Sequence, residues 1–347
     1  MKRLGPVIGW AQRNGLFFAL VILVVVFSLL SPRFFTASNL TTILLNVAVV
    51  GIIAVPGAML ILSGYVDLAV GSIAVLVSIV FGELMHAGAS APVAFVAALA
   101  TGTAWGLASG LLITYLGFSP IIVTLGGLAG ARGLAELISQ GITQYSFGPG
   151  FAVLGNGTWL GVPVPVWIFV ATFACGGYVW YQMPYGRHMT AIGADRVAAR
   201  SLGIPVKRIP LVLYVASGFA SALGGFILTS ELDAASLSIG QGLELEVLTG
   251  ILLGGVSFLG GRGSLFGVLV GVVFIGALDN GLVVINISPF FAGVATGAAL
   301  VFAAGLDVFY QRLDQIQIAE AAEPEDAAQP AVDRGGLAER LRLWRLR

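Results

Sequence analysis

The sequence has little charge: 10% of its residues are charged, and the formal net charge is zero. Soluble domains carry about 25% charged residues. An ordinary soluble enzyme, a disordered protein and a nucleic-acid binder are therefore excluded, the last because no basic field is present to hold phosphates. Cysteine occurs once, at Cys175. That excludes an intramolecular disulfide or a cysteine-based metal site, and the surrounding apolar run makes it a core or lipid-facing residue. The two histidines, His86 and His188, are too far apart for an HxxxH cluster. Lysine occurs only at Lys2 and Lys207, and neither follows a GxxxxG loop, so a Walker A nucleotide cradle is missing. A GxSxG elbow, an HExxH pair and a carboxylate pair with a general base are missing too. The chain has the means to move a solute rather than to react with it.

What is abundant is apolar sequence: 58% hydrophobic residues and 48 glycines, with a mean hydropathy of +0.98. Glycine lets helices approach closely in lipid, so this composition predicts an all-α polytopic membrane protein. About 20 apolar residues cross a bilayer. Ten such segments are legible, roughly Leu16–Ser31, Thr42–Ser63, Leu68–Met85, Pro92–Leu116, Ile121–Gln140, Val164–Met183, Leu211–Ser230, Val247–Leu259, Leu265–Ile285 and Phe290–Phe309. Residues 1–15 form a cytoplasmic N-terminus, 16–310 the transmembrane domain and 311–347 a cytoplasmic tail. With ten crossings and the N-terminus inside, fifteen of the 17 basic residues face the cytoplasm. Arg33 falls outside and Arg132 within a span. No small-x-small cleavage pattern follows the first apolar stretch, so it is read as a retained span. Glu320–Asp333 is acidic and Ala/Pro-rich, the composition of a solvated, disordered tail, and Leu337–Arg347 has the residues of an inner-leaflet amphipathic helix.

Spans two to five and seven to ten have similar lengths and opposite directions, the pattern of an inverted-repeat transporter. Local features recur between them. Ser119-Pro120 and Ser288-Pro289 open the fifth and tenth spans. Gly102, Gly106 and Gly110 on the fourth span match Gly263, Gly267 and Gly271 at the ninth. Gly64–Ser72 and Gly254–Ser264 are the glycine-rich breaks expected to correspond.

The longest polar stretch on the inner side is residues 184–210. Asp195–Leu202 has helix-forming composition, with Ala194, Ala198, Ala199 and Leu202 spaced to share a face. Gly193 and Gly203 are the expected stops. A short helix with a small-residue face suits docking into a groove on another protein; a loop whose arginines only set topology is the simpler reading.

Four segments resemble the membrane permease of ABC importers for monosaccharides of the ribose/xylose/arabinose type. Gly64–Ser72 (GYVDLAVGS) is similar to that family's G-x-x-D-L-S-V-G-S signature. Ser119–Gly126 with Ala131-Arg132-Gly133 resembles its P-F-I-V-T-L-G…R-G segment. Gly254–Ser264 resembles the late G-G-x-S-x-x-G-G-x-G-S. Gly186, Arg187, Ala191, Ile192, Gly193, Ala198, Ala199, Arg200, Gly203 and Ile204 match the loop that contacts the ATPase, and Asp195 lies among them. The resemblance runs in order from about Phe34 to Asp307. Ala69 stands where serine is usual and Ile121 where phenylalanine is usual. It implies a non-catalytic subunit in the bacterial inner membrane. The implied partners are a second permease chain, an extracytoplasmic sugar-binding protein and an ABC ATPase, often with two fused nucleotide domains. The chain would bind no cofactor itself, ATP and Mg acting through the ATPase.

Polar residues within the spans are candidates to line a pathway or mark a helix break: Asn46, Asp67, Ser72, Thr124, Asp279 and Asn280. Asp67 is expected to cap the helix that follows it. Arg132 has Glu136 four residues on. Glu244 and Glu246 are expected before the eighth span, facing the binding protein. An ion-coupled secondary transporter of a small polar solute is the alternative function, and a channel or structural subunit the third. A secondary transporter usually needs carboxylates deep in its spans.

Overall fold

A computed structural model describes residues 5–288 and 291–305. The expectations for residues 311–347 lie outside these. The described chain is helical almost throughout: α1 (Gly5–Leu30), α2 (Ala37–Leu62), α3 (Val70–His86), α4 (Ala91–Thr114), α5 (Pro120–Ser139), α6 (Pro149–Asn156), α7 (Val164–Gly177), α8 (Pro184–Ala194), α9 (Arg196–Ser201), α10 (Arg208–Leu232), α11 (Leu243–Leu253), α12 (Leu265–Val284) and α13 (Phe291–Gly305). Four two-residue strands make two small antiparallel pairs: β1 (Gln144–Tyr145) with β4 (Ala234–Ala235), and β2 (Thr158–Trp159) with β3 (Val162–Pro163). The chain is an all-α polytopic membrane protein. Six helices are long and apolar enough to span, namely α2, α4, α5, α10, α12 and α7 with the π turn that extends it to Gln182. The apolar part of α1, α3 and α13 are shorter.

Helix α2 occupies the centre because it is apolar all round, as a helix without a solvent or lipid face must be. Every residue from 47 to 62 is buried, and α7, α8, α10, α11 and α12 pack around it. Thr36 starts it, accepting the Asn39 N–H with its side chain. A second core gathers about α3, where Phe81 stacks on Phe151 at 4.3 Å and Phe95 on Phe226 at 4.5 Å. In lipid, close packing rather than water exclusion holds helices together. Gly102 and Gly106 on α4 supply it, lying directly against Gly218 and the Tyr214 carbonyl of α10.

Two segments between helices of the bundle are not helical. Residues 63–69 separate α2 from α3, and residues 233–242 separate α10 from α11. Exposed backbone of this kind is intolerable in hydrocarbon, so it must be enclosed by protein. The second of these packs against the first turn of α3. A Cβ on Gly71 would meet the Gly240 carbonyl at 2.7 Å, and Gly240 itself adopts a positive φ of 67°.

This geometry corrects three expectations. The eighth span is not a helix over Val247–Leu259. It starts earlier, at Leu243, because Glu244 and Glu246 in its first turn suit the positive end of the helix dipole. It stops at Leu253 before Gly254 and Gly255, and 11 residues reach only about 17 Å. Residues 254–264 do form a non-helical break before α12, as residues 63–69 do before α3, and residues 233–242 make a further one between α10 and α11. The two glycine triplets also have different partners: those of α4 face α10, whereas Gly267 and Gly271 of α12 face Gly254 and Gly250 at and just beyond the end of α11. Finally, Gly193 does not stop a helix. It belongs to α8, a helix absent from the sequence reading.

Candidate functional site

At one end of the bundle, glycines from three distant segments meet. The Gly261 N–H donates to the Leu62 carbonyl at 2.8 Å, joining the end of α2 to the α11–α12 turn. Gly193 of α8 sits on the same spot: any Cβ there would collide with Leu62 O and Gly261 N. Gly260 lies against Gly64 and Gly193 in turn. Beside this knot is a cavity of about 400 Å³ lined by Gly64, Tyr65, Ser119, Pro120, Arg196 and Leu259, among others. All four segments singled out in the sequence thus reach one place.

Helix α9 covers this junction. Asp195 caps it, accepting from the Val197 and Ala198 N–H groups at 2.8 and 2.9 Å. Gly203, at a φ of 78°, ends it in a conformation other residues adopt only with strain. The apolar face differs from the expected one. Ala199 is 2% exposed and turned into the protein, while Val197 and Leu202 are 77% and 80% exposed. Gly186 and Ile192 are likewise buried, and Ala191, Gly193 and Ile204 half-buried; these hold the loop in place. Arg187, Asp195, Ala198, Arg200 and Gly203 are exposed. The spacing of alanines showed a helix but not which side faced out, because alanine is equally at home on either.

The same junction connects inward. The Arg196 guanidinium lies 5.6 Å from the Tyr65 ring centroid. Tyr65 meets Tyr214 of α10 edge to face at 6.3 Å, and the Tyr214 hydroxyl donates to the Val66 carbonyl at 2.9 Å. Asp67 accepts from the Ala69 N–H at 3.0 Å and from the Ser217 hydroxyl at 2.8 Å. The expected cap of α3 is not made, since Ala69 is its N-cap residue; Asp67 instead fastens the turn before the helix and bonds to α10. Ser72 is buried two residues into α3, and the Thr124 hydroxyl donates to the Pro120 carbonyl within α5.

A second cavity, of about 420 Å³, opens between α2, α11 and α12. Asn46, Asp279 and Asn280 line it together with Thr42, Gln241 and Glu246. Asn39 donates to Asn280 Oδ1 at 2.8 Å, and Thr296 of α13 to Asp279 at 3.5 Å. Asp67, Ser72 and Thr124 are not part of it. Glu244 and Glu246 are the residues the sequence reading misplaced: both lie inside α11 rather than before it, and Glu246 faces this cavity. A carboxylate in the first turn of an apolar helix was the available signal. Arg132 pairs with Glu136 at 3.7 Å and donates to the Leu237 carbonyl at 3.1 Å, tying α5 to the second break.

Several apolar helices of spanning length packed around a cavity with a partly polar lining are the architecture of a multi-pass membrane protein. The chain belongs to the family described as branched-chain amino acid transport system / permease component, which matches residues 39–304. It is similar to the ribose import permease of Bacillus subtilis, 37% identical over 301 residues, covering 86% of this chain and 94% of that protein. It is 33% identical over 298 residues to the D-allose transport system permease of Escherichia coli, covering 85% and 91%. It is 32% identical over 298 residues to an L-arabinose ABC transporter permease of Azospirillum brasilense, covering 86% and 88%. No solved structure matches the chain.

Proposed function

We propose that this chain is the transmembrane permease of an ABC importer for a monosaccharide. The observation that carries the reading is the convergence of the four signature segments on the junction beneath α9, in a chain whose relatives are sugar import permeases. The cavity between α2, α11 and α12 supplies what a sugar needs in transit. Amides, hydroxyls and carboxylates can exchange hydrogen bonds with its hydroxyls, and apolar walls exclude bulk water. The sugar enters from an extracytoplasmic binding protein and leaves on the opposite side after the bundle changes its open face.

The chain itself is non-catalytic, and energy comes from a separate ATPase that binds ATP and Mg. Exposed Val197 and Leu202, rimmed by Arg187 and Arg200, give that ATPase an apolar contact with charged borders. A second permease chain completes the transporter. Both termini and residues 184–210 face the cytoplasm, as the basic-residue asymmetry supports. An ion-coupled transporter is disfavoured by the relatives' names.

Reconstitution tests this reading. Liposomes holding the permease, its cognate ATPase and sugar-loaded binding protein should take up sugar only with ATP, and ionophores should not stop them. Permease alone should neither hydrolyse ATP nor concentrate sugar. Uptake driven by an ion gradient without the ATPase would overturn the assignment. Within the complex, Asp279→Ala and Asn46→Leu should cut uptake about tenfold while the ATPase stays bound, each removing a polar contact worth about 1.5 kcal/mol.

A further inference from the structure

Residue Arg196 sits where the proposed ATPase contact meets the transmembrane bundle. It is exposed, so as a lone surface charge it would be dispensable. Its surroundings say otherwise. The guanidinium rests on the ring of Tyr65, a residue only 6% exposed. Tyr65 belongs to the break 63–69, and its hydroxyl has no hydrogen-bond partner. A buried tyrosine whose hydroxyl is unused is held for its ring. One face of that ring's environment is the cation, and another is Tyr214 of α10. Beyond it, Tyr214 holds the Val66 carbonyl and Ser217 holds Asp67, so both residues following Tyr65 are fastened to α10. The break is thus bonded firmly to α10 on its inner side, and Arg196 of α9 bears on it from the other.

We infer that Arg196 is a positioning residue for energy coupling: pressing on Tyr65, it transmits displacement of α9 into the 63–69 break and through it to α3 and α10. The inference rests on the proposed role of α9 as the ATPase contact. Ala199 seats α9 in the core, and Arg196 is where α9 bears on the break itself. Through this contact, the displaced break must carry α3, whose first turn abuts Gly240 and the other break. The ends of both interrupted helices would then shift together.

Four variants in the reconstituted complex test this, with three readings for each: ATPase co-purification, ATP hydrolysis stimulated by loaded binding protein, and sugar imported per ATP. Arg196→Ala should retain the ATPase and its hydrolysis within about twofold and lower sugar per ATP about fivefold, the scale of one lost cation–π contact in a coupling equilibrium. Arg196→Lys should restore much of that ratio, since an ammonium also binds a ring face. Tyr65→Phe should behave as wild type, because only the idle hydroxyl is lost. Tyr65→Leu should uncouple like Arg196→Ala if it folds; Arg196→Ala and Tyr65→Phe carry the test if it does not. Unchanged sugar per ATP in Arg196→Ala would overturn the relay and leave the ATPase contact standing. Loss of the ATPase from Arg196→Ala would make Arg196 a docking residue and equally overturn it. An uncoupled Tyr65→Phe would show that the hydroxyl, not the ring, carries the effect, against the inference.

Discussion

Ser217 donates its hydroxyl hydrogen to Asp67 Oδ2 at 2.8 Å, joining residues 150 positions apart. The serine is fully buried, and nothing cationic shares the carboxylate's hydrogen bonds. The bond therefore satisfies a carboxyl group that would otherwise lie in the bundle with one backbone N–H for company. Removing the hydroxyl leaves that group under-satisfied. Ser217→Ala should cost about 1–3 kcal/mol, and Asp67→Asn less, because an amide oxygen can still accept. Thermal unfolding in detergent should show the order Ser217→Ala below Asp67→Asn below wild type. A Ser217→Ala protein as stable as wild type would make the contact incidental.

The glycine knot predicts a sharp difference between two neighbours. Gly193→Ala forces a methyl group into Leu62 O and Gly261 N, neither of which can give way without breaking their hydrogen bond. Its cost should exceed about 3 kcal/mol, enough to remove folded protein from the membrane. Gly203→Ala meets open space and suffers only from its positive φ, about 1 kcal/mol. Size-exclusion profiles of the two solubilised variants should differ accordingly.

The two faces of α9 allow folding and the proposed ATPase contact to be tested separately. Ala199→Trp should damage the permease itself, since the residue is buried, and reduce the amount of folded protein. Val197→Asp with Leu202→Asp should leave expression and thermal stability within about 0.5 kcal/mol of wild type, as exposed substitutions usually do. The double variant should lose the ATPase in a pull-down at matched expression. Retention of the ATPase would move the docking surface elsewhere.

Topology is testable by accessibility. Single cysteines at Arg196 and Asn156, in a Cys175→Ala background, should label from opposite sides of the membrane. Modification of position 196 by an impermeant reagent in intact cells would reverse the orientation.

Much of the bundle is legible in the sequence because long apolar runs such as 42–63 or 265–285 have one physical outcome in lipid. Each of the ten apolar segments contains a helix. The errors fall where the chain departs from that rule. Over 247–259 hydropathy counts Val256, Phe258 and Leu259 as membrane sequence, though glycines on both sides of them have ended the helix. Around Gly193 the reading assumes a glycine in a polar loop is a stop. Its actual reason is the Leu62 carbonyl, a residue more than a hundred positions away, which no local pattern reveals. Glu246 joins Asp279 and Asn46 only through the packing of α11 between α2 and α12. Residues lining one cavity are close in space because the helices cross there, and the order of residues carries no trace of it.

The contact between Gly71 and Gly240 also has a consequence for biogenesis. Ribosomes deliver the first break to the membrane long before the second exists. Until residues 233–242 arrive, the backbone around Gly71 lacks the protein surface that shields it from lipid. Almost half the chain is synthesised in between. A nascent chain released after α5 would present an uncovered first turn of α3, the kind of lesion that membrane quality-control proteases remove.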